Sequence, residues 1–387
     1  MNFALSEEQE LFRKTVRDWV ERECPKSVAL HLEQREFEFP FELWDKMSEA
    51  GFHGVGIAEE YGGQGGDIVT QALLARELGR SLAGLTWMWG LSSFAGAKAI
   101  GFYGSDEQRE RFLPRLARGE TRFAIAVTEP SGGTDLLGAL GTSARPTEGG
   151  WRINGQKIWS SAANVSDYLL LLARSDRAVE KRTQGTTLFL VPRESEGLET
   201  RPIPKIGMRA LASCEIFLDD VFVPDDLVLG EPGRGWYHLL NTLNNERILV
   251  AALCTGIIDG VLEDALAYMA EREAFGRSIG HFQALQHYIA NIAMWQEQAE
   301  LVTYHAAWLQ QQGQACARQA NMAKVLASEY AGQAADLGLQ ILGGMGYSAE
   351  TNMQRYWRDA RLYRIGPITN EMARNVIAES YGLPRSF

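Results

Sequence analysis

The chain has 387 residues. That exceeds one average domain of roughly 150 residues and is long enough to bury about 75% of the surface its unfolded form exposes. Hydrophobic residues make up 45% and charged residues 22%, an ordinary globular composition that excludes a disordered, collagen-like or disulfide-scaffold protein. Lys and Arg number 38 against 49 Asp and Glu, a net charge of −11 that carries no nucleic-acid footprint and argues against anionic membrane surfaces.

The N-terminal MNFALSEEQELFRK lacks a basic stretch followed by an apolar one, so no secretory signal and a cytoplasmic location are expected. Ser6-Glu-Glu-Gln9 resembles a capping box opening an amphipathic helix through Leu11, Val16 and Trp19. Val69 to Leu78 continues in the same style. A strand-like run, Arg122 to Val127, then leads into the glycine-rich Ala126-Val-Thr-Glu-Pro-Ser-Gly-Gly-Thr-Asp135. Trp151-Arg-Ile-Asn-Gly-Gln-Lys-Ile-Trp159 reads as two strands joined by an Asn154-Gly155 turn. Tyr168 to Ala173, Thr186 to Val191, Glu199 to Ile206 and Cys214 to Val223 are further short β-rich runs. The most apolar of these, Tyr168 to Ala173, is far too short to span a bilayer.

No proline falls between Pro232 and Pro367, which permits long uninterrupted helices there. Leu253, Ile257, Val261, Ala265 and Met269 recur at helical spacing, and similar runs cover about 282–312 and 315–342. Gly313 and Gly343-Gly344 punctuate them. The order is helical, then β, then helical, with expected borders at 1–122, 123–232 and 233–387. The fold class is α+β and mainly α: an N-terminal helical domain, a small central antiparallel β-domain and a C-terminal helical bundle. Cys24, Cys214, Cys254 and Cys316 lie far apart, and the six histidines show no ligand spacing, so neither a disulfide framework nor a metal site is expected.

Two segments carry chemistry. In 126–135, paired glycines either admit a ligand to the backbone, with the Thr128 and Thr134 hydroxyls flanking it, or simply form a tight loop between domains. Gln340-Ile-Leu-Gly-Gly-Met-Gly-Tyr347 is no dinucleotide fingerprint, because GxGxxG is absent and the preceding run is helical; alone it reads as a helix C-cap. Together with GQKIWSS at 155–161, GMRALASCEIFLDDVFVP at 207–224, EREAFGRSIGHFQ at 271–283 and GGMGY…RDARLYRI at 343–365, they make the chain resemble the acyl-CoA dehydrogenase family of flavoproteins over nearly its whole length.

The resemblance implies a four-helix C-terminal bundle, a homotetramer, and FAD between the β-domain and the bundle. It places Val127 and Thr128 at the pyrimidine edge of the flavin, Trp159 along the isoalloxazine, Ser161 near N5 and Thr134 beside the acyl chain. Arg272, Phe275, Gln340 and Gly344 of an adjacent subunit would hold the pyrophosphate and adenosine half, with Thr369 and Glu371 also near the cofactor. The implied reaction removes an α-proton from an acyl thioester while a β-hydride passes to the flavin. Many members carry the glutamate base near the C-terminus, where this chain has Ile365-Gly-Pro-Ile-Thr369 and Pro367 stands at the base position. Isovaleryl-type and long-chain-type members carry it on the first long bundle helix, directly before an arginine. Here Asn244-Asn-Glu-Arg247 matches, making Glu246 the expected base and Arg247 its neighbour in the substrate site, with Glu371 as a rival carboxylate.

The family's thioester oxygen is held near Gly366 by a backbone N–H that Pro367 cannot supply, a loss worth about 3 kcal/mol. The indoles of Thr86-Trp-Met-Trp-Gly90 either shorten the acyl pocket, favouring short or branched chains, or pack the domain core. The leading expectation is a dehydrogenase of acyl-CoA, or of an acyl group on a carrier protein, that passes electrons to an electron-transfer flavoprotein or similar acceptor. The alternatives are a flavin oxidase or monooxygenase, a reductase running in the opposite direction, and a non-catalytic scaffold.

Overall fold

The computed structural model describes residues 4–385; the side chains of Leu243 and Asn244, the latter part of the Asn-Glu-Arg motif, lie outside the described residues. The N-terminal part contains α1 (Glu7–Glu23), α2 (Lys26–Gln34), α3 (Phe41–Glu49), α4 (Ile68–Ser81), α5 (Ala83–Ser92), α6 (Lys98–Tyr103) and α7 (Asp106–Ala117). The expected capping box is present: Ser6 Oγ accepts from the Gln9 N–H at 3.2 Å, and Gln9 Oε1 accepts from the Ser6 N–H at 3.0 Å.

The middle part is a sheet of β1 (Phe123–Ala126), β2 (Ser143–Thr147), β3 (Gly150–Ser161), β4 (Tyr168–Arg174), β5 (Thr186–Pro192), β6 (Leu198–Ile203), β7 (Ser213–Pro224) and β8 (Val228–Leu229). Its order is β6-β7-β3-β2-β4-β5-β8, with β1 added on β4. The pairing is antiparallel except where β1 and β2 run parallel to β4.

The expected turn at Asn154-Gly155 does not form. Both residues lie inside the single strand β3, and the reversal falls at Glu148-Gly149, where Thr147 faces Gly150 across the β2–β3 ladder. Sheet pairing on both sides of β3 overrides the local Asn-Gly preference, leaving a register shift against β7 between Ile153 and Gly155, with a second between Lys157 and Ser160. Glycine is required at 155 because an added Cβ would sit 2.6 Å from Thr142 Cα.

The C-terminal part follows with α8 (Gly235–Glu271), the hairpin β9 (Glu273–Ala274) and β10 (Arg277–Ser278), α9 (Gln283–Gln311), α10 (Ala317–Leu342), α11 (Gly344–Tyr347), α12 (Met353–Leu362) and α13 (Asn370–Glu379). Helices α8, α9 and α10 pack on one another, and α12 and α13 close against α10. Among the described residues, no helix is long and apolar enough to cross a membrane.

Two apolar cores result. One joins the N-terminal helices to the bundle through Trp19, Leu74, Leu78, Ile257, Val261, Ala327 and Tyr356. The other lies on the sheet around Phe112, Phe123, Leu170, Leu190 and Ile216. The first depends on a close crossing of α4 over α8. Cβ atoms added at Gly256 and Gly260 would lie 2.1 Å from Arg76 O and 2.5 Å from Arg80 O, so only glycine admits this approach. The buried Arg76–Asp259 pair, at 2.7 Å, fixes the register of the same crossing. Gly256→Ala is therefore expected to push α4 off α8 and to cost about 1–3 kcal/mol or more, read as a lowered denaturant midpoint. Alanine at the exposed Gly101, where an added Cβ meets nothing, should change that midpoint little.

Candidate active site

Glu246 and Arg247 lie on α8, and both are buried. Burial pushes the Glu246 carboxyl up to about 7, and the Arg247 guanidinium and Lys324 ammonium pull it the other way. Lys324 comes from α10 and is fully buried, as are the neighbouring Ala320, Ala323 and Ala327 and the polar Asn321 and Ser328. Its ammonium donates to Ile368 O and, at 2.7 Å, to Asn370 Oδ1. Asn370 is also bonded to Ser328 Oγ, at 3.2 Å, so the loop ahead of α13 is tied to α10 at two points. Burial lowers Lys324 to about 8, which leaves it mostly protonated at neutral pH.

The other C-terminal candidates sit differently. The Gly366 N–H donates to Leu362 O at 3.0 Å, and Pro367 has no N–H. Thr369 caps α13, its hydroxyl accepting from the Met372 N–H at 3.2 Å. Glu371 is exposed in the first turn of α13. Of the two rival carboxylates, only Glu246 is withdrawn from water.

A second group gathers on the sheet. Val127 is buried and Thr128 half-buried at the end of β1, and Thr128 O accepts from the Ile158 N–H at 2.9 Å, tying the glycine-rich loop to β3. Beneath it, Lys157 Nζ donates to Val127 O at 3.1 Å and to Glu129 Oε1 at 2.8 Å. Glu129 also accepts from the N–H groups of Gly141 and Thr142, at 2.7 and 2.9 Å. Burial lowers Lys157 to about 8. Burial would raise Glu129, but Lys157 and these donors hold it below the usual carboxylate range. Trp159 stands at φ 64 and is 56% exposed. Ser161, half-buried, pairs with Ser213 of β7, and Thr134 is exposed.

The remaining expected residues face solvent in the single chain. Arg272 and Phe275 lie at the β9–β10 hairpin, Phe275 at φ 51 and 95% exposed. Gln340 and Gly344 lie at the exposed end of α10, and a Cβ added at Gly343 or Gly344 meets nothing within 4 Å. These surfaces fit FAD. An exposed indole on β3, with Thr128 tied to the neighbouring Ile158 and Ser161 two residues further along the strand, suits a planar hydrogen-bonding heterocycle, and the open glycines suit a phosphate at the backbone.

Sequence reasoning missed Lys324, Asn370 and the Lys157–Glu129 pair. A lone lysine on a helical face of alanines was the available signal for the first.

Family models for the N-terminal, middle and C-terminal domains of acyl-CoA dehydrogenase match residues 6–120, 124–221 and 233–382. The probable acyl-CoA dehydrogenase YngJ of Bacillus subtilis (strain 168) is 36% identical over 98% of this chain and 99% of its own. The structure of butyryl-CoA dehydrogenase from Megasphaera elsdenii superposes with a TM-score of 0.92 at 31% identity, covering 99% of this chain and 100% of that one. The FAD complex of PigA does so with a TM-score of 0.92 at 28% identity, over 99% and 100%.

Two expectations follow from the buried charges. Lys157→Met strands the Glu129 carboxylate and should cost about 3–5 kcal/mol in thermal or chemical denaturation, with recovery when Glu129→Gln is added. Glu246 binds its proton more tightly folded than unfolded, so its stabilising contribution is complete below its ordinary value of 4.5 and is lost as pH rises through about 7. Glu246→Gln should thus flatten the fall in stability between pH 5 and pH 8, measured by denaturation at each pH.

Proposed function

The chain belongs to the acyl-CoA dehydrogenase family of FAD-dependent oxidoreductases, and from that premise we propose that it converts a short or branched acyl-CoA into the 2,3-enoyl thioester. Glu246 takes the α-proton and Arg247 borders the substrate. The observation that carries this reading is the burial of Glu246, whose carboxyl stands at about 7, while proline occupies position 367 and Glu371 lies exposed. A base poised near neutrality is present as the carboxylate in useful amount and still binds a proton well. FAD, when bound, supplies the two-electron acceptor for the β-hydrogen.

Val127, Thr128, Trp159 and Ser161 would hold the flavin, Val127 and Thr128 with their backbone and hydroxyl groups, Trp159 with its ring and Ser161 with its hydroxyl. Thr134 reaches the acyl chain and Gly366 lies beside the thioester. Thr369 and Glu371 border the cofactor, and Arg272, Phe275, Gln340 and Gly344 serve the FAD of a neighbouring subunit. The exposure of those last four residues in the single chain supports an assembled, tetrameric site. So does an apolar stripe along α9, where Met294, Leu301 and Trp308 are exposed at seven-residue spacing. An electron-transfer flavoprotein or similar carrier reoxidises the enzyme.

Trp87 supports a short acyl pocket. Its Nε1 donates to Tyr363 OH at 2.9 Å and its ring meets Phe94 edge-on at 5.4 Å, so a large side chain is fixed on α5. Trp89 is fully buried and belongs to the core. One feature favours a second reading, oxygen chemistry or a carrier-bound substrate: the Gly366 N–H is spent on Leu362 O and Pro367 offers none, so the thioester oxygen needs another donor.

Anaerobic titration of the oxidised holoenzyme with butyryl- and isovaleryl-CoA tests the proposal. The visible flavin band should bleach, and Glu246→Gln should slow bleaching by about 10²–10⁴-fold without loss of FAD. A yellow enzyme that bleaches with no acyl-CoA favours the second reading, and rapid bleaching by long-chain substrates contradicts the short pocket.

A further inference from the structure

We propose that the loop between β4 and β5 receives the charged end of the substrate: Arg177, Lys181 and Arg182 take the diphosphate and 3′-phosphate of coenzyme A. The inference rests on the reading of the substrate as an acyl-CoA. Three observations carry it.

The first is unspent positive charge. The chain carries a net charge of −11, yet residues 174–184 hold four cations, Arg174, Arg177, Lys181 and Arg182, against two carboxylates, Asp176 and Glu180. Among the described residues, none of the four cations makes an ion pair. Asp176 instead accepts from the Ala178 N–H at 2.8 Å. Arg177, Lys181 and Arg182 are exposed, so each can reach a ligand from solvent. Burial lowers Arg174, and Arg177 and Arg182 lower it further, as like charges held close together do.

The second is a fixed mounting. Arg174 is buried, and its guanidinium donates to Arg182 O at 2.9 Å and Gln184 O at 2.7 Å within the loop, and to Leu137 O at 3.3 Å outside it. Arg177 donates to Gly141 O at 3.3 Å. These bonds tie the loop to the segment that follows Thr134. On the other side, Thr183 Oγ1 and Tyr237 OH share a hydrogen bond of 2.8 Å, and the Gly185 N–H donates to Gly233 O at 3.0 Å. The cations therefore stand between the glycine-rich segment and the start of α8, the helix that carries Glu246 and Arg247.

The third is reach. Tyr237 and Glu246 both lie on α8, roughly 14 Å apart along its axis at about 1.5 Å per residue. An extended pantetheine arm covers that distance, so a thioester beside Glu246 brings its phosphates to the loop. Guanidinium groups pair with phosphate oxygens two at a time, and a cluster of exposed cations with no carboxylate partner keeps its donors free for them. Arg174, spent on three carbonyls, holds the loop and leaves the ligand to the other three cations.

Calorimetric titration of the oxidised holoenzyme with S-butyl-CoA and S-butyl-pantetheine reads binding apart from chemistry, because these thioethers have no carbonyl and so no acidic α-proton. The wild type should bind the CoA compound about tenfold or more tightly than the pantetheine compound, with the advantage shrinking as salt rises. In the triple variant Arg177→Gln, Lys181→Gln, Arg182→Gln, that ratio should fall about tenfold, toward unity. Neutralising three exposed cations elsewhere, with Lys14→Gln, Arg22→Gln and Arg118→Gln, removes the same charge and should keep the ratio. A ratio unchanged in the loop variant, or one that falls equally in the control, overturns the proposal. If the wild type binds neither thioether and is bleached by an acyl group on a carrier protein alone, the CoA reading itself fails, a result distinct from an idle loop on an enzyme that binds CoA.

Discussion

A carboxylate that is to take a proton from carbon must leave water, and leaving water favours its protonated form. Glu246, the proposed base, faces this conflict. Burial raises the carboxyl to about 7 and no further, because Arg247 and Lys324 oppose it. The arrangement brings three elements together: α8 with Glu246, α10 with Lys324, and the segment ahead of α13 to which Lys324 is bonded. It also requires α8 to be held in register along its length. The Gly256–Gly260 contact with α4 and the buried Arg76–Asp259 pair supply that register.

The flavin side relies on a separate balance. Lys157 and Glu129 form a buried ion pair beneath the segment that carries Val127 and Thr128, and the sheet core packs around it. Neither charge is exposed, so the pair acts as a fixed strut between β3 and the glycine-rich loop, with little stabilisation to offer beyond the desolvation it offsets. The two balances lie in two cores, one shared by the helical parts and one on the sheet, and FAD is the group expected to join them.

Much of this was legible in the chain. The helical, β, helical order followed from proline placement and periodicity, Ser6 announced α1, and the Glu246-Arg247 pair stood out once Pro367 removed the usual base. What escaped reading was set by contacts distant in sequence. Ser143–Thr147 carries a proline and a largely exposed pattern, so β2 gave no strand signal, and without β2 the Asn154-Gly155 pair looked like a turn. Gly256 and Gly260 of α8 carry no sequence signal of their role, which depends on α4 lying across them. Lys324 finds its acceptors 44 and 46 residues downstream, where no local pattern reaches.

Abstraction of the α-proton by Glu246 can be separated from oxidation altogether. The measurement is washout of α-deuterium from a short acyl-CoA analogue whose β-position cannot lose hydride, followed in the holoenzyme at several pH values. With Glu246 as the base, washout should rise through about pH 7, be lost in Glu246→Gln and persist in Glu371→Gln. Washout that survives Glu246→Gln and disappears in Glu371→Gln would contradict it.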